Sequence, residues 1–547
     1  MFNLKSKYFY FLAIKIELIK YFKKLYFTTN FYNKSLKSEI PNQFYFFPNP
    51  LLLSTFINYK NFSFKIANYT NFFWDKINNK KNLAVNSFLW LSLIDRKNDV
   101  TVIQKIIKDW IVKNNKYTTK IWDNENISQR IVSWILNADI ILKNTNKVFR
   151  ELFLQSIIMQ INHLKKNIRF ENNKIKKLEI ISAVLLSGLV FKEYNENLEM
   201  GMRELEKLIE DYYDANGFPK NRNINDLIIS AKYLILIKEC CKDAQEYIPD
   251  YLDDILEKNI NCLFAFKTVS GINPLFNGAT ENKMNEFFLF INNLKYKKKK
   301  KHNCVAGLEI IKNKKILIYM DVGTPPKKDY SETYQSGPLS IEFFYNNEKI
   351  ITNCGYGKQI SKRAELISRL TSAQSTLTLN DSSVVKFEKN KFINKAFGIS
   401  IKDTFGISEI QREENDLFIN FSAKHNAYET RFGYHFKRSL KINKKDDSII
   451  GQDTLIKIKE NVEKSYYNIR FHLYPGISAV QTIGGNSILI QINKNFSLIF
   501  VSKSENLSLE KSIFMGRNQI VNNFCITISG NIKNENKTIN WEIKKNI

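Results

Sequence analysis

The chain has 547 residues, 44% of them hydrophobic, which is enough for more than one domain and excludes a disordered protein. Lysine and arginine number 82 against 54 aspartates and glutamates, and the formal net charge of +28 favours an anionic partner. The surplus is spread along the whole chain, so a compositional bias toward lysine explains it as well as a functional field does. No nucleic-acid recognition motif accompanies the charge, and nucleic acid is therefore not a predicted partner.

The N-terminal run MFNLKSKYFYFLAIKIELIKYFKKLYF is basic and aromatic. Lys15, Glu17 and Lys20 interrupt its apolar residues, so it is too broken to cross a bilayer. It also lacks the continuous apolar region and the cleavage site of a secretory signal. A basic amphipathic segment of this kind is typical of a helix that lies on a membrane, so a peripheral membrane contact through the N-terminus stays open. We treat residues 1–84 as an extension that leads into the first domain.

Residues 85–300 have the periodicity of helices. The run NISQRIVSWILNADIILK places its apolar residues on one helical stripe. The run LEIISAVLLSGLVF is apolar on every side and too short to span a bilayer, which indicates a core helix. Several such helices joined by short polar loops predict an α/α bundle, solenoid or toroid.

From residue 301 to residue 547 the apolar period changes to two. Short alternating runs such as KKILIYMDVG and SILIQINKNFSLIFVS are separated by Asn, Asp and Gly turns, which predicts an antiparallel β-sandwich. The predicted fold class is therefore α+β multidomain. The six cysteines form no CxxC pair, and no two of the five histidines have the spacing of a metal site, so we predict neither a metal nor another cofactor.

Nine runs follow one another along the chain: IWDNENISQRIVSW, DANGFPKNRN, GINPLFNGA, DVGTPP, SGPLSIEF with IITNCG, AQSTLTLND, YETRFGYHFKRSLKI, IRFHLYPGI, and ISGNI with INWEI. In this order they resemble the heparinase II/III family, which comprises polysaccharide lyase-like proteins with an incomplete α/α toroid followed by an antiparallel β-sandwich. The resemblance implies β-elimination of a uronate-containing acidic polysaccharide in the groove between the two domains. It also implies a place in the cell envelope or periplasm, although the lack of a visible signal leaves the cytoplasm open.

Chemistry of this kind needs a group that neutralises the uronate carboxylate, a base for the C5 proton, and an acid for the leaving oxygen. In the family an Asn or His on the toroid neutralises, while a Tyr on the toroid and a His on the sandwich transfer the protons. This sequence departs from that pattern, because Gln374, Gln335 and Pro219 stand where the family has histidine. An amide can donate a hydrogen bond to a sugar but cannot act as a base. A glycan-binding or scaffold protein that has lost catalysis is therefore the alternative to a carbon–oxygen lyase.

The resemblance and the residue chemistry together give a set of candidate site residues. Arg222 can grip a carboxylate and Asn223 can neutralise it, although both can equally shape a loop and cap the next helix. The family's tyrosine would fall in GINPLFNGA, which contains no tyrosine, so two tyrosines of the sandwich are the candidate bases. Arg470 and His472 lie two positions apart on one strand face, and we assign them either to sugar binding or to a polar network. The predicted catalytic residues are Asn223, Tyr356 and Tyr428, and the predicted substrate-binding residues are Asn216, Arg222, Gln374, Arg470 and His472.

Overall fold

The computed structural model describes residues 2–56, 74, 83–300, 302–460, 463–493, 496–502 and 506–546. Residues 57–73 and 75–82, which belong to the predicted N-terminal extension, lie outside the described residues. The chain divides into two compact units. The sandwich unit comprises Met1–Ala13, Asp214–Leu227 and Ile260–Ile547, and the helical unit comprises Ile14–Tyr213 and Ile228–Asn259. The predicted domain boundaries at residues 84 and 300 stay predictions.

The N-terminal half of the chain is helical, as predicted. No helix among the described residues has the length and apolar character needed to cross a membrane. The helices are α1 (Phe2–Phe27), α2 (Asn30–Ser35), α3 (Val100–Lys113), α4 (Asn124–Leu136), α5 (Ala138–Ile141), α6 (Lys147–Asn167), α7 (Lys174–Val190), α8 (Asn195–Tyr212), α9 (Ile224–Asp243) and α10 (Asp250–Ala265). Short 3₁₀ helices cover Pro50–Leu53, Leu83–Ser87, Leu89–Leu93, Ile168–Phe170 and Lys192–Tyr194.

Local chemistry fixes where these helices begin and how they pack. The side chain of Asp123 accepts a hydrogen bond from the N–H of Glu125 at 3.2 Å and so caps α4. Helix α7 is buried continuously from Leu178 to Val190, which confirms the prediction of a core helix. Its Gly188 has no room for a Cβ atom, because Leu198 of α8 occupies that space. The two helices therefore approach each other more closely than larger residues would permit.

The C-terminal half folds into two antiparallel sheets. Among the described residues the first sheet has nine strands and the second has eight. The strands are β1 (Cys304–Val305), β2 (Leu308–Lys312), β3 (Ile316–Asp321), β4 (Ile341–Tyr345), β5 (Glu348–Thr352), β6 (Leu377–Leu379), β7 (Ile407–Glu414), β8 (Phe418–His425), β9 (Tyr434–Asn443), β10 (Ile449–Lys457), β11 (Ser465–Leu473), β12 (Ser478–Gln481), β13 (Ser487–Asn493), β14 (Phe496–Val501), β15 (Asn506–Phe514), β16 (Val521–Ile532) and β17 (Lys537–Lys545). Four further helices of this half are α11 (Asn285–Asn293), α12 (Lys362–Ser368), α13 (Lys391–Phe397) and α14 (Glu429–Phe432).

Within each sheet, every strand is hydrogen-bonded to its neighbours in a continuous order. The first sheet runs β1-β2-β3-β4-β5-β11-β16-β15, with β6 paired to β11 off this path. The second runs β12-β13-β14-β17-β10-β9-β8-β7. Strand β9 alternates buried and less buried residues along most of its length, as a strand with one face toward a core must. The apolar faces enclose one large hydrophobic core.

A buried ion pair lies within this core. The guanidinium of Arg438 on β9 binds both carboxylate oxygens of Asp453 on β10, at 2.7 and 2.8 Å, and both side chains are fully buried. The indole N–H of Trp541 donates to the same carboxylate at 3.0 Å. Gly451 stands opposite Trp541 on the paired strands, and the ring fills the place of a Cβ atom. The buried carboxylate of Asp453 thus has hydrogen-bond donors for both of its oxygens, and the lack of a side chain at Gly451 leaves room for the Trp541 ring.

Candidate functional site

The site begins in the loop that precedes α9, within the sandwich unit. The Asp214 carboxylate accepts hydrogen bonds from the N–H groups of Asn216 and Phe218, both at 2.9 Å, and folds the loop on itself. Phe218 and Pro219 are buried, whereas the side chain of Asn216 is exposed. The carbonyl of Asn216 accepts the Cys262 thiol at 3.3 Å. Asn216 therefore keeps its amide accessible to a ligand, and its predicted binding role stays a prediction.

Arg222 is held inside the protein. It has a positive φ of 63°, is 8% exposed, and forms an ion pair with the buried Asp321 at the end of β3. Its guanidinium also donates to the carbonyls of Ala306 at 2.6 Å and Thr324 at 3.2 Å. The backbone at Gly323 packs directly against the guanidinium, which occupies the space of a Cβ atom. These contacts use the donors that were predicted to grip a substrate carboxylate, so they do not favour that role, which stays a prediction.

Asn223 caps α9, the alternative that the sequence left open. Its Oδ1 accepts the N–H of Asn225 at 2.9 Å, and its own N–H donates to Asn221 Oδ1 at 3.0 Å. The amide nitrogen of the same side chain faces Gly278, where an added Cβ atom would lie 3.1 Å from it. Capping thus uses the oxygen of the side chain and directs the nitrogen toward the loop of residues 271–279.

A buried carboxylate anchors the loop of residues 271–279 to the first sheet. Glu342 on β4 accepts the N–H of Leu275 at 3.1 Å and pairs with Lys349 at 2.7 Å, and both charged side chains are fully buried. Its other oxygen accepts the hydroxyl of Thr352 and the N–H of Asn353, each at 3.0 Å. Because every oxygen of the carboxylate is bonded, the loop has a fixed position above the sheet.

Gln335 and Gln374, two of the positions where the sequence resemblance implied a histidine, meet at the carbonyl of Ser368. Gln335 accepts the N–H of Gly278 at 2.9 Å and donates to the Ser368 carbonyl at 2.8 Å. Gln374 donates to the same Ser368 carbonyl at 2.9 Å, and to that of Leu370 at 3.3 Å. Both glutamines are almost completely buried. The sequence could not show that they meet, because 39 positions separate them.

Several polar atoms near this point have no hydrogen-bond partner among the described residues. They belong to Asn277, in the loop of residues 271–279, and to residues 333–336. The side chain of Thr333 packs against Gly278. Buried polar atoms without a protein partner normally bind water or a ligand. Sequence reasoning missed them, although it did single out GINPLFNGA as the place of a missing tyrosine. The atoms are Oδ1 and Nδ2 of Asn277, Oγ1 of Thr333, OH of Tyr334 and Oγ of Ser336.

The two candidate tyrosines lie in environments that oppose ionisation. Tyr356 donates its hydroxyl to Glu365 at 2.9 Å, and burial and this carboxylate raise the pKa of Tyr356 above its usual range. Tyr428 is fully buried and donates to the Leu377 carbonyl at 2.9 Å, and burial raises its pKa as well. Arg431 donates to the carbonyls of Ser383 and Val384 rather than to a phenol. These contacts do not favour a base, and both catalytic roles stay predictions.

Arg470 and His472 lie on one face of β11, in separate polar networks. Arg470 donates to Thr378 Oγ1 at 2.8 Å and to Asp381 at 3.0 Å. His472 is buried, with Nε2 at 3.0 Å from the Ser372 carbonyl and Nδ1 at 3.0 Å from Ser512 Oγ. Burial lowers the pKa of His472 to about 4, so its ring is neutral near pH 7. The pairings match the polar-network alternative, while the binding role stays a prediction.

No metal centre was predicted, and the described part of the chain contains no group of three or more His, Cys, Asp or Glu side chains that could hold a metal ion. The described residues of the site include amides, hydroxyls and buried ion pairs. Such groups can bind and orient a polar ligand.

Comparison with known proteins shows a family match in the C-terminal part of the chain and similar folds among solved structures. Residues 297–542 match the model of the family described as Heparinase II/III-like, C-terminal. A crystal structure of heparinase III covers 84% of this chain and 76% of its own, with 14% identity and a TM-score of 0.66. The heparan sulfate lyase HepC from Pedobacter heparinus covers 90% of this chain and 78% of its own, with 14% identity and a TM-score of 0.60. No curated protein matches the chain by sequence.

A helical N-terminal region followed by antiparallel sheets, together with these matches, defines the fold class of the chain. The chain carries a heparinase II/III-like C-terminal domain and has the fold of heparinase III. The resemblance seen in the nine runs and the predicted fold class are both confirmed.

Proposed function

We propose that this polysaccharide lyase-like protein binds a uronate-containing acidic polysaccharide and has lost efficient cleavage. The heparinase III fold supports a polysaccharide ligand, and the net charge of +28 favours an anionic one. The resemblance implies a polysaccharide of the cell envelope, so we place the protein in the envelope or periplasm.

One observation carries the choice of binding over cleavage. Gln335 and Gln374, at two of the histidine positions of the family, both donate to the carbonyl of Ser368. A primary amide neither takes nor gives a proton at neutral pH, so these positions cannot serve as base or acid. They can hold the Ser368 segment and the Gly278 loop in place while other polar groups contact the sugar.

The groups left to contact a sugar are those without a hydrogen-bond partner in the part of the chain that the structure describes. The amide of Asn277 and the hydroxyl of Thr333 have unpaired polar atoms beside Gly278, and the amide nitrogen of Asn223 faces the same glycine. Amide N–H groups are good donors to a carboxylate, and hydroxyls suit the sugar oxygens. We propose that this trio, rather than Arg222, receives the uronate.

Residual β-elimination is the second candidate, and the position of Asn223 favours it. In that reaction the C5–H bond breaks, a C4=C5 double bond forms, the C4–O bond breaks, and the leaving oxygen takes a proton. An amide at Asn223 could stabilise the charge that develops on the carboxylate while C5 loses its proton. The base of such a reaction would have to be a tyrosine, and both candidates lie where deprotonation is disfavoured.

The test measures binding and cleavage on the same samples. The full chain is mixed with heparan sulfate, hyaluronan, alginate and polygalacturonate, and binding is followed by affinity electrophoresis. Cleavage is followed by the ultraviolet absorbance of the unsaturated uronate. We expect retention by at least one polysaccharide with no rise in absorbance, and loss of retention in Asn277→Ala. A catalytic rise in absorbance would establish the second candidate, and absence of retention by every acidic polysaccharide would contradict both.

A further inference from the structure

The C-terminal half of α1 exposes an apolar stripe. Leu18, Tyr21, Phe22 and Leu25 follow the spacing i, i+3, i+4, i+7, which puts them on one face of a helix. They are 51%, 57%, 63% and 49% exposed. Scattered exposed apolar residues are ordinary in proteins, but a contiguous row of large ones marks a surface that binds something.

The stripe does not pack on the unit to which it belongs. The same helix is attached through a different side chain, Phe27, whose ring lies 4.5 Å from that of Tyr32 and 5.2 Å from those of Tyr117 and His163. Helix α1 therefore contacts the helical unit through the rings at its C-terminal end, whereas a second apolar face lies in solvent. Both faces are apolar, so burial within this unit does not explain the composition of the helix.

Positive charge accompanies the stripe. The sequence of α1 contains six lysines and a single glutamate, Glu17, which pairs with Lys20 at 3.2 Å. A cavity of about 530 Å³ lies on another side of the helix, and its cationic lining residues are Lys20, Lys23, Lys24 and Arg169. None of the described residues that line it is acidic. Anions are therefore attracted to this end of the helical unit.

We propose that the exposed face of α1, defined by Leu18, Tyr21, Phe22 and Leu25, docks onto the surface of an anionic lipid bilayer. The apolar side chains enter the boundary between head groups and acyl chains, and the lysines of the helix interact with lipid phosphates. A helix with bulky apolar residues on one face and lysines on another is suited to this position. Tyrosine favours the same interface because its ring is apolar and its hydroxyl is polar.

Charge selects the bilayer over the other occupants of such a face. A second copy of this chain would bring its own surplus of lysines against α1, and like charges repel. Anionic lipid instead adds attraction for each lysine near the surface, which corresponds to about a fivefold gain in binding per residue. The docking does not depend on the polysaccharide-binding proposal, since none of its residues belongs to that site.

The test is sedimentation of the full chain with vesicles. Phosphatidylcholine vesicles with and without phosphatidylglycerol are compared at low and high salt. We expect binding to the anionic vesicles that weakens with salt, and a loss of at least tenfold in Phe22→Ser with Leu25→Ser. The pair Lys20→Gln with Lys24→Gln should lower binding to anionic vesicles by about 25-fold and flatten the salt dependence.

Matched variants control for a general loss of apolar or charged surface. Ile483→Ser with Val480→Ser removes two exposed apolar residues of the sandwich, and Lys147→Gln removes an exposed lysine of α6. These variants should bind like the unchanged protein, and all variants should give the same circular dichroism. Equal binding by the α1 variants would overturn the proposal, as would no binding to anionic vesicles. A concentration-dependent dimer that Phe22→Ser with Leu25→Ser abolishes, without vesicle binding, would assign the face to a second copy.

Discussion

Gln335 and Gln374 donate hydrogen bonds to one carbonyl oxygen, that of Ser368, at 2.8 and 2.9 Å. Both side chains are buried, and Gln335 also accepts the N–H of Gly278. The pair therefore joins the segment of Gln335, the segment of Gln374 and the Ser368 carbonyl within the sandwich. Under the proposed function, a substitution of either glutamine tests a structural contact and not a catalytic group.

Gln335→Ala should lower the free energy of unfolding by about 2 kcal/mol, because the buried N–H of Gly278 would lose its acceptor. Denaturant unfolding measures the change. Gln411→Ala, on the exposed edge strand β7, is the control and should change stability by less than about 0.5 kcal/mol. Equal effects of the two substitutions would show that the Gly278 contact contributes no stability.

Arg222→Met should destabilise the protein by about 3–5 kcal/mol, since it leaves the buried carboxylate of Asp321 without its partner. The double variant Arg222→Met with Asp321→Leu should recover most of the loss, because no charge then remains buried alone. Thermal unfolding of the three proteins provides the comparison. If the double variant were fully stable but no longer bound any polysaccharide, Arg222 or Asp321 would contact the ligand after all.

Stability should fall as the pH falls from about 6.5 to about 4, and His472 should account for part of that loss. Burial lowers the pKa of His472 to about 4, whereas an exposed histidine titrates near 6.5. The unfolded chain thus binds a proton over this range that the folded chain does not bind, which favours unfolding by about 2 kcal/mol at pH 4.5.

The variant His472→Asn isolates this contribution. Burial also lowers the pKa values of His163 and His425, each to about 3, so a pH dependence should remain in the variant. Unfolding free energies at pH 7 and pH 4.5 should differ by about 2 kcal/mol less in His472→Asn than in the unchanged protein. An identical difference in both proteins would mean that His472 is protonated in the folded state.

Gly451→Ala should destabilise the sandwich by about 1–3 kcal/mol, because the new methyl group would overlap the Trp541 ring. Gly484→Ala is the matched control, since a Cβ atom at Gly484 meets nothing within 4 Å. Calorimetry of the two variants compares them directly. A neutral Gly451→Ala would require the ring to move, which a loss of the Trp541 to Asp453 hydrogen bond would reveal.

Periodicity was enough to predict the architecture. A stripe with the helical period and runs with period two depend on burial of one face, and that rule holds in both halves of the chain. The short helices α12 and α13 were not foreseen, because each depends on a single cap: Ser361 accepts from Ala364, and Asn390 accepts from Phe392. A cap without an apolar stripe gives too weak a signal in sequence.

The site was harder to predict because its contacts join residues that are far apart in the sequence. Asn223 was assigned both a capping and a neutralising role, and the structure shows the cap while its nitrogen faces Gly278. For Arg222 the decisive fact is the distant partner Asp321, which no local pattern reveals. The polar atoms of Asn277 are of interest because no described residue forms a hydrogen bond with them, and a sequence does not show which side chains lack a partner.

The buried carboxylate of Glu342 divides the support of one loop between two independent anchors. It holds the Leu275 end of the loop of residues 271–279 and pairs with Lys349. Gln335 holds the Gly278 end of the same loop. A substitution at position 335 therefore leaves the Leu275 anchor in place, and its structural effect should be confined to the part of the loop around Gly278.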